Sequence, residues 1–184
     1  MTSTNVVDVS RVSGNASADV KAFVSNLGFF TKSPDAPQST RFSQAIAQRM
    51  DVTEVSILKK VEEPQKQEAR VVCECIVEED MLNGGGRIHG GCSATLVDLC
   101  TALALVAYNL GVTGKPNFSV SQAINMVYHS PAELGEKLRI VSTTMTVGAR
   151  AMSARCEIWN ATQHRLVASG IHITMIPSAP PAKL

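Results

Sequence analysis

Aromatic residues make up only 4% of this 184-residue chain, and its 17 Lys and Arg are nearly cancelled by 16 Asp and Glu, a net of +1. The first shortage removes the stacking platforms that single-strand nucleic-acid binders need. The second removes the basic face that neutralises phosphate. No nucleic acid is expected as a partner. The N-terminus reads MTSTNVVDVSRVSG, without an apolar signal core and without the Arg-rich bias of a transit peptide. Cysteines are few and odd in number: Cys73, Cys75, Cys92, Cys100 and Cys156 lie in apolar stretches, which predicts reduced thiols and not a disulfide framework. His89, His129, His164 and His172 show no paired ligand spacing, so no metal site is expected.

What is present is an ordinary domain's worth of apolar residues, 45% against 18% charged, enough for a fold that buries roughly 70% of its unfolded surface without a staple. Residues 1–50 read as a partly helical N-terminal extension. Val20, Phe23, Val24 and Leu27 form one helical stripe behind Ser17 as N-cap. A loop with Pro34 and Pro37 follows, then a short helix near Phe42–Met50. Residues 51–176 read as the main domain and residues 177–184 as a flexible proline-rich tail.

From Val52 the pattern shifts to period two. Strands are expected at Val52–Val61, around Val71–Val77, at Asn117–Tyr128, at Lys137–Val147, around Met152–Ile158 and around Val167–Met175. In the last of these, Val167, Ile171, Ile173 and Met175 share one parity. Turns are expected at Gly148-Ala149 and near Asn160–His164. One helix, Gly91–Leu110, is apolar or small nearly all round, with Asp98 its only charge. Its length of about 30 Å would cross a bilayer. A central Asp costs about 2.5–3.5 kcal/mol there, and the half-buried strands need a helix to cover them. No membrane span is expected.

Two features point to chemistry. The run from Asn83 to Gly91 holds five glycines in nine residues and leads into the helix N-terminus. There, free N–H groups and the helix dipole can polarise a carbonyl and hold the oxyanion formed on attack. The glycine fingerprints of phosphate loops and dinucleotide folds are absent. Asp98, among Leu96, Val97, Leu99 and Cys100, is expected to be partly desolvated. It would serve as general base on water or as nucleophile, unless it is a buried Asp bonded to backbone or to a partner chain. His89 with Cys92 reads first as a cap beside a small apolar residue, and Cys73 with Cys75 as core packing. A Cys92-dependent hydrolase is the rival reading of that helix entry.

The ordered set Asn83, His89-Gly90-Gly91, Asp98, then Tyr128-His129-Ser130-Pro131 and Leu134-Gly135-Glu136 resembles the hotdog-fold acyl-CoA thioesterases of the phenylacetic-acid-pathway and thioesterase-superfamily-member type, over roughly Val52–Ile176. The resemblance implies an α+β hotdog fold, an antiparallel sheet wrapped around the Gly91–Leu110 helix. Two such sheets would join in a homodimer, commonly paired into a homotetramer, with active sites between subunits. Asn83, His89 and Gly90 of one chain would face Asp98 of the other. Gly90 N–H would polarise the thioester carbonyl of an acyl-CoA, and Ser121, or Ser119 one alternation away, would orient water. Tyr128 and the turn Val147-Gly148-Ala149-Arg150 would bind substrate and CoA, with Arg150 available to a phosphate. CoA is part of the substrate, and no cofactor is implied.

The alternative within this fold is a non-catalytic acyl-CoA-binding protein. Dehydratase-type and hydratase-type hotdog chemistry is disfavoured because the Asp-x-Asn-Pro-x-His signature is missing. The terminal Ala182-Lys183-Leu184 is close to the Ser-Lys-Leu address of peroxisomal cargo, which implies an import receptor as a partner and a peroxisomal site for acyl-chain (lipid) metabolism, and otherwise the cytoplasm.

Overall fold

The computed structural model describes residues 8–27 and 42–177. The Pro34–Pro37 loop and the Ala182-Lys183-Leu184 tail lie outside the described residues. Six antiparallel strands form one sheet in the order β1-β2-β4-β5-β6-β3. They are β1 (Asp51–Lys59), β2 (Gln67–Ile76), β3 (Val120–Tyr128), β4 (Lys137–Val147), β5 (Ala151–Asn160) and β6 (Arg165–Met175). Among the described residues three α-helices accompany them: α1 (Ala18–Ser25), α2 (Gln44–Gln48) and α3 (Gly90–Thr113).

The sheet wraps around α3, as expected. Leu96, Val97, Cys100, Leu103, Ala104 and Ala107 are all buried on that helix, and they share one core with Val71, Cys73, Ile140, Cys156 and Ile158 of the sheet. The helix runs past its expected end at Leu110 because Gly111 permits a close approach: a Cβ there would lie 2.9 Å from Ile57. It stops at Gly114, whose φ of 72° lets its N–H reach back to Leu110 O at 3.1 Å.

The N-terminal extension docks on the sheet. Ser17 caps α1 by accepting Val20 N–H, and Val20 and Val24 are buried in the main core. Ahead of α1, Ser13 bridges β1 in parallel at Glu54. The Asn15 side chain then imitates a strand: it accepts Ile57 N–H at 2.7 Å and donates to Ile57 O at 2.8 Å. One edge of the sheet is thereby covered. The other edge is β3, on which no residue is buried.

The parity expected of β6 holds at Val167, which is buried, and is reversed beyond it. Ala168, Gly170, His172 and Thr174 face inward, whereas Ile171 is 41% exposed. The reason is tight packing from both β3 and α3: a Cβ on Gly170 would meet Met126 Sδ of β3 at 2.7 Å and Val97 Cγ1 of α3 at 3.1 Å. The inner surface of β6 must therefore be small at Gly170, whereas two residues further on it takes the fully buried ring of His172. All five cysteines are buried and free.

Candidate active site

The glycine-rich segment is a tight, anchored turn. Asn83 Oδ1 accepts Gly85 N–H at 2.8 Å and Arg87 N–H at 3.3 Å, and Gly86 N–H closes back on Asn83 O at 3.0 Å. Gly86 has φ 74°, a backbone that favours glycine. With its oxygen committed to the loop, the Asn83 amide keeps its NH₂ for the adjoining cleft. Ile88 N–H donates to Ala132 O and His89 N–H to Met81 O, each at 2.8 Å, so the approach to α3 is fixed from both sides.

His89 is the N-cap of α3, and its Nδ1 accepts Gly91 N–H at 2.9 Å. That bond gives the imidazole a structural task which its expected place in the site did not include. Gly90, at the first helical position, has no intrahelical acceptor for its N–H. Its carbonyl accepts the Tyr128 hydroxyl at 3.1 Å. A Cβ on Gly90 would lie 3.4 Å from the Tyr128 ring, in ordinary contact with it. Asn83, Arg87, Gly90, Ser93 and Tyr128 line a cleft of about 380 Å³.

Asp98 does not line that cleft. It lies on a stripe of α3 that the sheet leaves half-open, near the start of β3, and Ser121 Oγ–H donates to its Oδ1 at 2.8 Å. A bulge between Ser121 and Ala123 in the pairing with β6 re-aims this end of the strand, and the bond identifies Ser121, not Ser119, as the hydroxyl beside Asp98. The Asp98 side chain is 44% exposed, so this chain alone does not supply the expected desolvation. The Val147–Arg150 turn joins β4 to β5 as expected, with Arg150 exposed.

Two residues beside Asp98 escaped the sequence reading. His172 Nε2 lies 3.4 Å from Asp98 Oδ1, and its Nδ1 lies 2.7 Å from Thr101 Oγ1. Thr101 was legible only as polarity within α3. His172 was hidden by the apparent parity of β6. Burial pushes the His172 ring below the ordinary 6.5, against a weaker upward pull from Asp98. Burial also pushes the Cys92 thiol up to about 11. Among the described residues no group of His, Cys, Asp and Glu is arranged to hold a metal ion.

The antiparallel sheet wrapped around α3 matches the fold that comparison with known proteins finds. Residues 85–167 match the thioesterase superfamily. Acyl-coenzyme A thioesterase 13 of Mus musculus is 34% identical over 116 residues, covering 63% of this chain and 79% of that protein. The crystal structure of zebrafish thioesterase superfamily member 2 is similar with a TM-score of 0.64 and 26% identity, covering 86% of this chain and 98% of that one. The E. coli PaaI protein of the phenylacetic acid degradation operon shares the fold at a TM-score of 0.52 and 23% identity, over 60% and 74% of the two chains. The chain belongs to the thioesterase superfamily and is a thioester hydrolase of the hotdog fold.

Proposed function

We propose that this protein hydrolyses acyl-CoA to a free acid and CoA, with Asp98 as general base, water as the only other reactant and no cofactor. The observation that carries the reading is the 2.8 Å hydrogen bond from Ser121 to Asp98 Oδ1, at a half-open stripe of α3. With its O–H donated in a hydrogen bond to the ionised Asp98, the Ser121 oxygen offers lone pairs to a water and holds it beside the base. Asp98 takes the water proton as the water oxygen attacks the thioester carbonyl. Gly90 N–H, the helix dipole and the Asn83 NH₂ stabilise the oxyanion, a single such donor being worth about 2.7–4 kcal/mol. Collapse breaks the C–S bond and expels the CoA thiolate, a good leaving group because a thiol's ordinary pKa is about 8.5. Asp98 returns the proton to the product.

Asn83 and Gly90 line one cleft, while Ser121 lies at the start of the uncovered edge strand β3 with Asp98 bonded to it. That separation supports a dimer through β3, with each site built from the helix entry of one chain and the carboxylate of the other. The exposed Arg150 at the β4–β5 turn is available to a CoA phosphate.

Thiol release from a panel of acyl-CoAs, wild type beside Asp98→Asn, tests the reading. The expected result is a loss in kcat of about a hundredfold or more with KM nearly unchanged. Retained turnover in the variant would remove Asp98 from the mechanism. Saturable binding of acyl-CoA without turnover in the wild type would point to an acyl-CoA-binding protein.

A further inference from the structure

The cleft beside Gly90 carries a charge that the hydrolysis above does not use. Arg87 lines it with Asn83, Tyr128, His129 and Pro131, and among the described residues no carboxylate does. Arg87 is exposed, and its bonds are those of its backbone. Its N–H donates to Asn83 Oδ1 at 3.3 Å, and its carbonyl accepts Asn83 N–H at 2.7 Å. Glu133 stands opposite it across an isolated antiparallel bridge. Even so, Arg87 enters no ion pair among the described residues. Arg165 donates to Pro131 O at 3.0 Å and has no carboxylate partner there either. His129 Nε2 lies 2.8 Å from Ser169 Oγ and brings no negative charge. The cleft is therefore bordered by positive charge without a counter-charge. A guanidinium stays ionised at physiological pH, and its planar fork matches a carboxylate.

The course of the strands decides which limb of an acyl-CoA meets Arg87. Ala151 pairs with Met175, and Met175 with Val120, so the β4–β5 turn with Arg150 stands at the Ser121 end of the sheet. Tyr128 and the cleft stand at the other end of β3, nine residues long and so roughly 27 Å away. In a dimer that sets Asp98 of one chain against Gly90 of the other, the Arg150 turn of the first chain comes with its Asp98. CoA then leaves the thioester towards that turn, and the cleft falls to the acyl chain. Three residues separate Arg87 from Gly90, at most about 10 Å of extended chain. A negative group that meets Arg87 is thus only a few carbons from the thioester.

We propose that Arg87 is a specificity residue that selects acyl chains bearing a second carboxylate, so that CoA thioesters of dicarboxylic acids are the preferred substrates. The inference rests on the reading of the protein as an acyl-CoA hydrolase. The guanidinium holds the free carboxylate while Gly90 N–H holds the thioester carbonyl. The cleft is open to water, which keeps the gain below that of a buried pair.

Thiol release from adipoyl-, suberoyl- and sebacoyl-CoA, beside hexanoyl-, octanoyl- and decanoyl-CoA of matching length, tests this. In at least one pair the wild type is expected to favour the dicarboxylic chain about tenfold in kcat/KM. Arg87→Gln is expected to bring that ratio close to one, and Arg87→Lys, which keeps the charge without the fork, to retain part of it. A wild-type ratio near one in every pair overturns the proposal and leaves the hydrolase standing. An equal loss on both chains in Arg87→Gln also overturns it. If that loss vanishes with pantetheine thioesters, Arg87 serves a CoA phosphate; if it persists, Arg87 only shapes the loop. Should no thioester be hydrolysed, the hydrolase reading itself fails. The same ratios, taken as dissociation constants for wild type and Arg87→Gln, then decide the role of Arg87.

Discussion

Cys92 and Asp98 lie six residues apart on α3, both close enough to the helix entry to suggest a nucleophile. Their surroundings separate them. The Cys92 thiol is pushed up to about 11 by burial, with the nearby Asp80 charge adding to the effect, which leaves roughly one thiolate in a thousand at pH 8. Asp98 is half-exposed and has a hydroxyl donor on one oxygen, the arrangement that water activation needs. Cys92→Ala is therefore expected to keep turnover within about threefold of wild type, and the folded protein to keep its activity through treatment with iodoacetamide. A Cys92-dependent hydrolase would lose activity in both assays.

At the scale of elements, the helices and most strands were legible because period and burial agree in them. Met152, Ala154, Cys156 and Ile158 alternate in the sequence, and all four are buried on β5. Strand β4 runs from Lys137 to Val147 with the expected bounds. Agreement failed in β6 beyond Val167, where Met126 of β3 and Val97 of α3 come so close that position 170 takes only glycine. The apolar parity there marks the outer face, a reversal that no alternation of residues reveals. The same failure concealed His172, because a polar residue on a presumed outer face attracts no attention. Asn83, Gly90 and Asp98 were legible as motif residues, but their partition between a cleft and a separate carboxylate depends on the course of β3.

The covered β1 edge was equally invisible, since Gly14-Asn15 carries no strand pattern. Gly14 has φ 95°, and a Cβ there would lie 2.2 Å from Val55 O, so only glycine lets the segment approach β1. Asn15→Ala removes two hydrogen bonds to the Ile57 backbone and is expected to cost roughly 1–2 kcal/mol, since these bonds are exposed and water replaces them in part. Gly14→Ala is expected to cost more and to free the segment. Thermal denaturation gives the order, and faster hydrogen exchange at the Ile57 amide would locate the loss. Unchanged exchange in both variants would mean that the segment does not protect this edge.

For the whole molecule, the two ends of the sheet have different fates. Gly14-Asn15 covers β1, whereas β3 presents an open edge with Val120, Val127 and Tyr128 each at least half exposed, a surface that natural proteins seldom leave uncovered. If two copies join there, a two-fold axis places the Asp98 of each chain opposite the Gly90 cleft of the other. Subunit mixing tests this without knowledge of the interface. Asp98→Asn and Asn83→Ala are each expected to be poorly active alone. In a mixed dimer one site inherits both defects, and the other has an intact Asp98 from one chain and an intact Asn83 from its partner. Random reassortment of equal amounts makes half the dimers mixed, each with one of its two sites whole, so activity should recover to about a quarter of wild type. Asp98 and Asn83 acting within a single chain would give no recovery at all, because every chain in the mixture carries one defect.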